Sequence, residues 1–238
     1  AIDVADLPYV DRMDLTYHFP SYTGLAPRTV EDGGDVAALP GTVVEVRVTP
    51  TLPSPGGRLV LEGQAGGELL TEADGTLVGR FTVQERGFYS VELARETGDL
   101  IPASPEYTID LLTDQEPSIR FTKPGRDSPA SPIEEVYLEV RADDDYGVGD
   151  LRLVYSVNGG PEDTVSIFEG RGAPLPQVST GYTMFLEEWE LEPGDLVSYY
   201  GLARDNRGRS GTKSVATDMF FVTIRPFERA YRQGEQQG

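Results

Sequence analysis

A run of three aspartates followed by Tyr146-Gly147 is the feature of this sequence with the sharpest chemistry. The run follows an alternating apolar segment, which places it in a loop between two strands. A further aspartate follows a later strand, and two more acidic residues occupy the short segment between two strand-rich halves. These positions predict that the carboxylates converge at the joint between the two halves. The candidate metal ligands are Asp114, Glu116, Asp143, Asp144, Asp145 and Asp205.

Carboxylate oxygens from several segments suit Ca²⁺, which takes roughly six to eight oxygen ligands. An alternative explanation uses no ion. Aspartates before Tyr-Gly cap turns by accepting local backbone hydrogen bonds, and Arg204, Arg207 and Arg209 lie close to Asp205 in sequence. Calcium is therefore the one cofactor to test, and turn chemistry with ion pairs is the competing interpretation.

No constellation of catalytic residues is visible, so we predict no enzyme and assign no catalytic residue. His18 is the single histidine, and it is expected to flank a strand. Neighbouring glutamates, as in Glu134-Glu135 and Glu187-Glu188, are of the residue type that glycosidases use. Adjacent residues of a strand point to opposite faces, however, so neither pair shares a site by itself.

Aromatic residues raise a carbohydrate-binding alternative, because exposed flat rings stack on sugars. Such a site requires an exposed row of rings, whereas a sandwich core would bury most of them. The candidates are Tyr9, Tyr17, Tyr22, Tyr146, Tyr182, Trp189, Tyr199 and Tyr200.

Charge and composition exclude several classes of protein. The 238 residues carry 40 acidic and 20 basic side chains, a net charge of −20. Such a surface repels polyanions, so neither nucleic acid nor anionic lipid is an expected partner. The chain has no cysteine, which excludes disulfides and thiolate chemistry within it.

The elements that position these residues are strands, and their pattern occurs twice. Alternating apolar residues mark strands such as 42–48 and 87–94 in the first half, and 135–142 and 196–204 in the second. Each copy spans about 110 residues with roughly seven strands, the size of an immunoglobulin-like sandwich. We predict an all-β fold of two tandem immunoglobulin-like (fibronectin III-like) β-sandwich domains. The predicted bounds are 1–113 and 114–226, followed by the start of a C-terminal helical segment at 227–238.

Four short motifs in a fixed order resemble a bacterial family of membrane-anchored proteins of unknown function. They are Pro20-Ser21-Tyr22-Thr23-Gly24-Leu25, Ala38-Leu39-Pro40-Gly41-Thr42, Ala142-Asp143-Asp144-Asp145-Tyr146-Gly147 and Arg225-Pro226-Phe227-Glu228. The resemblance implies N-terminal transmembrane helices, tandem sandwiches and a long extracytoplasmic helical tail, with this chain as the sandwich region. It implies a location and an architecture, and it carries no catalytic residues.

The leading functional prediction is a non-catalytic, extracytoplasmic structural or protein-interaction module of a larger membrane-anchored bacterial protein. Its expected partner is an envelope or cell-surface protein, with membrane attachment only through segments outside this chain. The alternatives are a calcium-stiffened adhesion segment and a carbohydrate-binding accessory domain.

Overall fold

The computed structural model describes residues 6–62, 64–207 and 213–227. They divide into two compact units, one ending at Asp114 and the other beginning at Gln115. Within these ranges, no helix has the length and apolar character needed to cross a bilayer.

The described residues of the first unit form ten strands and a short 3₁₀ turn at Ser21–Thr23. The strands are β1 (Val10–His18), β2 (Arg28–Val30), β3 (Val36–Ala38), β4 (Val43–Pro50), β5 (Gly57–Leu61), β6 (Gln64–Thr71), β7 (Leu77–Thr82), β8 (Gly87–Ala94), β9 (Leu100–Pro102) and β10 (Tyr107–Leu111).

One strand of the first unit joins its two layers. The layer β2-β1-β4-β7 continues through β6 into the layer β5-β8-β10-β3, so that the pairing is unbroken. The early part of β6 pairs with β5, and Leu70 and Thr71 pair with Val78 and Leu77 of β7. Strand β6 therefore satisfies backbone groups at the edges of both layers.

The second unit is built from nine described strands and a 3₁₀ turn at Leu186–Trp189. The strands are β11 (Ser118–Lys123), β12 (Ser128–Ala130), β13 (Glu135–Asp143), β14 (Val148–Val157), β15 (Asp163–Glu169), β16 (Gln177–Phe185), β17 (Leu196–Asp205), β18 (Ser214–Ala216) and β19 (Phe220–Ile224).

The second unit keeps its two sheets separate. One has the order β11-β13-β16, and the other has the order β12-β19-β17-β14-β15, with β18 paired to β17. Among the described residues, β15 pairs only with β14, and β16 pairs only with β13. One side of this sandwich is consequently bounded by two edge strands.

Both units share the pairings of an immunoglobulin-like sandwich. In each, a short early strand runs parallel to the last strand: β3 beside β10, and β12 beside β19. In each, the penultimate long strand pairs antiparallel with a central strand, β8 with β5 and β17 with β14. The predicted fold class, two tandem immunoglobulin-like (fibronectin III-like) sandwiches, is confirmed.

Each unit encloses its own apolar core. In the first, residues that alternate along the strands meet between the layers, including Leu15, Val46 and Val91, all with no exposed surface. In the second, the ring of Tyr199 is fully buried and packs edge-on against Phe121, with ring centroids 5.2 Å apart. Two complete cores explain why the strand pattern occurs twice.

The structure contains strands that the sequence pattern did not yield. Strand β1 precedes the first predicted strand, although Met13, Leu15 and Tyr17 alternate along it and are buried. The sequence pattern predicts a strand over 182–186, whereas strand β16 spans Gln177–Phe185 and so begins five residues earlier. The predicted helical segment at 227–238 lies outside the described residues from 228 onward.

Close approach of three strands requires a glycine at the start of β5. Gly57 lies between Leu69 of β6 and Leu93 of β8 in the pairing register. A Cβ atom built on Gly57 would clash with the backbone oxygen of Glu92, whereas one on Gly56 would approach nothing closer than 3.5 Å. The strands would have to separate to admit a side chain at position 57.

Gly57→Ala is therefore expected to destabilise the protein by about 1–3 kcal/mol, the usual cost of overpacking. Gly56→Ala is the matched control, and its effect should stay within about 0.5 kcal/mol. Differential scanning calorimetry of the two variants checks this. Equal melting temperatures for both would contradict the close approach.

Candidate functional site: the acidic end of the second unit

The aspartate run and Asp205 of the second unit lie at one end of its sandwich because three strand ends are aligned there. Strand β13 ends at Asp143, which pairs with Ser118 at the start of β11 and Gln177 at the start of β16. In the other sheet, Val148 at the start of β14 pairs with Asp205 at the end of β17. The aspartate run and Asp205 thus share the end that the strand order predicts.

Asp144 holds the loop between β13 and β14 in shape. Its Oδ1 accepts hydrogen bonds from the backbone N–H groups of Tyr146, at 2.9 Å, and Gly147, at 2.7 Å. Its side chain is buried, and its own N–H donates to the backbone oxygen of Pro176 at 2.9 Å. These are the local backbone bonds by which aspartate stabilises turns.

Asp143 is engaged by two side chains on its own sheet. Gln177 donates from Nε2 to its Oδ1, and the Arg141 guanidinium lies 3.3 Å away. The hydrogen bond from Gln177, together with that from Arg141, holds the pKa of the Asp143 carboxyl below its usual value. Asp145 is exposed, and its Oδ2 accepts a hydrogen bond of 3.1 Å from the Gln115 backbone N–H.

Asp205 is the most enclosed of these carboxylates, with 2% of its side chain exposed. Its Oδ1 accepts a hydrogen bond of 3.3 Å from the backbone N–H of Arg207, and its Oδ2 lies 4.0 Å from Arg207 Nε. The neighbouring Asn206 donates from Nδ2 to the Tyr146 backbone oxygen at 3.0 Å, linking this loop to the aspartate run. Of the other two arginines near Asp205 in sequence, Arg204 lies in β17 and pairs with Ser214 of β18, and Arg209 lies outside the described residues.

The six predicted metal ligands are distributed over both units. Asp114 ends the first unit and is buried, and Glu116 is an exposed residue at the start of the second. In the described part of the chain, no group of three or more histidine or acidic side chains is positioned to hold a metal ion. Calcium binding by this set stays a prediction.

The eight aromatic candidates do not form the exposed row that carbohydrate binding requires. Tyr199 and Tyr17 are buried, and desolvation raises the pKa of Tyr199 to about 12. Trp189 is half-buried and stacks on Tyr155, with ring centroids 4.5 Å apart and planes 6° from parallel. Of the eight, Tyr9 alone has an exposed side chain, at 50%.

The sequence pattern did not predict which apolar residues of the two units are exposed. Leu70 and Leu100 are 66% and 40% exposed on the first unit, and Tyr137 and Phe185 are 49% and 41% exposed on the second. Their positions in alternating strands indicate which face they occupy but not which faces stay uncovered. His18, predicted to flank a strand, lies within one: it is the last residue of β1 and pairs with Val43 of β4.

Comparisons with known proteins add likenesses at low identity. No protein-family model and no curated protein matches the chain. Among solved structures, the chain is similar to fibronectin(III)-like modules of Clostridium thermocellum CbhA, at 15% identity and a TM-score of 0.32, covering 85% of this chain and 95% of that one. It is also similar to a marsupial T cell receptor, at 10% identity and a TM-score of 0.40, covering 92% of this chain and 75% of that one. A third similar structure is DIP-gamma IG1+IG2, at 10% identity and a TM-score of 0.30, covering 82% and 95% of the respective chains.

Replacing Asp144 with alanine is expected to destabilise the second unit by about 1–3 kcal/mol, because two backbone N–H groups lose their acceptor. Asp144→Asn should cost less, since the amide oxygen still accepts, and Asp145→Ala should cost less than about 1 kcal/mol. Urea unfolding followed by Trp189 fluorescence reports on this unit, because the chain has one tryptophan. Equal losses for Asp144→Ala and Asp145→Ala would contradict the role given to Asp144.

The calcium prediction is tested by calorimetric titration of the whole chain, together with melting curves in Ca²⁺ and in chelator. Binding with the affinity of extracellular calcium modules, about 0.1–1 mM, would release measurable heat and raise the melting temperature. Absence of both effects at several millimolar Ca²⁺ would reject the site.

Proposed function

We propose that this chain is a non-catalytic structural and protein-interaction module of a larger, membrane-anchored bacterial protein. On this proposal it lies outside the cytoplasm, where it contacts an envelope or cell-surface protein. The motif resemblance described above supports the location. A net charge of −20 is consistent with a protein partner, since it disfavours nucleic acid and anionic lipid.

The observation that carries the proposal is an open groove on the first unit. Its volume is about 670 Å³. Leu70 and Leu100, which are 66% and 40% exposed, border it. Glycines of β5 and β6 also line it, including Gly57 and Gly66. An apolar side chain of a partner protein that enters this groove would remove both leucines from water, which favours binding.

Two charged residues line the groove, and one of them, Arg58, is already paired, whereas Glu68 is exposed. The Arg58 Nε donates to a carboxylate oxygen of Glu92 at 2.6 Å across neighbouring strands. Because Arg58 and Glu92 already neutralise each other, the two leucines gain more from contact with a partner than this ion pair does. A polar rim around an apolar centre is the usual anatomy of a protein interface.

Cysteine labelling tests the location and the contact together, because the chain has no cysteine of its own. Leu70→Cys reports on the groove, and Ser21→Cys is the control at an exposed position in the 3₁₀ turn. In intact cells with a permeabilised outer envelope, a membrane-impermeant maleimide should label Ser21→Cys fully. Leu70→Cys should react more slowly there than in the purified chain, since the partner shields it.

Two results would contradict the proposal. If Ser21→Cys reacts only after lysis, the chain is not extracytoplasmic. If both cysteines react at the same relative rates in cells and in the purified chain, the groove has no partner.

A further inference from the structure

The two units differ at one side of the sandwich, where an edge strand of one layer lies beside an edge strand of the other. In the first unit, β6 pairs with β5 and then with β7, so it fills the position between the two layers. In the second unit, β15 follows and pairs with β14 as β6 follows and pairs with β5, but β15 does not go on to pair with β16. The outer edge of β16 is therefore unpaired along nine residues.

This edge lacks the devices by which proteins protect an unpaired strand. Strand β16 has the sequence QVSTGYTMF, with no proline, no lysine and no charged residue. Its pairing with β13 runs in register from Glu135–Phe185 to Asp143–Gln177 without a bulge. A long, regular, uncharged edge presents alternating N–H and C=O groups as a template for another strand.

The gap beside β16 also offers apolar surface to an added strand. Thr180 Oγ1 donates to the backbone oxygen of Ile167 at 3.2 Å, a single side-chain contact that leaves the backbone groups on the outer edge of β16 without a strand partner. The side chains of Ile167 and Tyr182 are half-buried there and pack against the core. Side chains of an added strand that point inward would complete the burial of this pair.

One end of the gap is strongly acidic. Asp163 pairs with Tyr155 in the strand register, and Tyr155 stacks on Trp189, whose 3₁₀ turn carries Glu187 and Glu188. With Glu162, these make four exposed carboxylates, and none of them has an ion-pair partner among the described residues. The field at this end favours a positively charged occupant.

We infer that the outer edge of β16 is a strand-addition site for an extended, basic segment of a partner protein. The segment adds to the sheet β11-β13-β16 by backbone hydrogen bonds. Its alternate apolar side chains contact Ile167 and Tyr182, and its lysines or arginines face Glu187 and Glu188. The inference deepens the proposed function, on which it rests, by naming the chemistry of a partner. A second copy of this chain is disfavoured, because each copy carries a net charge of −20.

The test uses the whole chain and a pool of seven-residue peptides in which valine or threonine alternates with lysine or arginine. Its mirror pool carries aspartate or glutamate instead. Residue-resolved hydrogen exchange should show slower exchange at alternate amides of β16 with the basic pool only. Glu187→Lys combined with Glu188→Lys should weaken binding of the basic pool roughly tenfold. Glu85→Lys combined with Glu96→Lys, on exposed positions of the first unit, makes the same change in net charge and should leave binding nearly unchanged.

Three results would overturn the inference. One is no change in β16 exchange with either pool. The second is slow exchange, in the chain alone, of the β16 amides directed away from β13, either in a monomer or with a doubled mass that would show self-pairing. The third is equal weakening by both double variants, which would indicate attraction to net charge only. Leu70→Cys lies on the first unit, and its labelling tests the proposed function independently. Failure of the proposed function can therefore be distinguished from failure of the strand-addition inference.

Discussion

Both units are governed by the need to satisfy the backbone hydrogen-bonding groups at the edges of their sheets. A sandwich buries its apolar faces readily, but each sheet ends in a strand whose outer N–H and C=O groups have no partner within the sheet. The first unit resolves this on one side through β6, which pairs with strands of both layers. The second unit has the same core pairings, but β15, which corresponds to β6 in chain order, pairs with β14 only, so β16 keeps an open edge.

The acidic end of the second unit depends on the same strand ends. Because β13, β14 and β17 all end or begin there, their connecting loops carry backbone groups that need partners, and the aspartates supply acceptors. Asp144 accepts from two successive N–H groups, and Asp205 accepts from the N–H of Arg207. Asp144 and Asp205, two of the predicted metal ligands, thus stabilise loops of the protein by accepting backbone hydrogen bonds.

Much of the architecture could be predicted from local pattern, since alternation along a strand is a property of neighbouring residues. Residues 135–142 alternate clearly, and β13 spans Glu135–Asp143. Strand β6 could not be predicted in the same way, because Gly66 and Gly67 interrupt the alternation and its pairing partners come from two layers. For the site, proximity of the aspartate run and Asp205 followed from strand order. Which groups each carboxylate contacts depends on side-chain directions that only the packed structure fixes.

Residue-resolved amide exchange in the peptide-free chain tests the contrast between the two units most directly. The amides of Leu70 and Thr71 in β6, and of Leu77 and Val78 in β7, lie where the two layers are joined, so alternate amides there should exchange slowly. In β16, the amides directed away from β13 should exchange much faster than those directed toward it. Uniformly slow exchange along the whole of β16 would contradict the open edge.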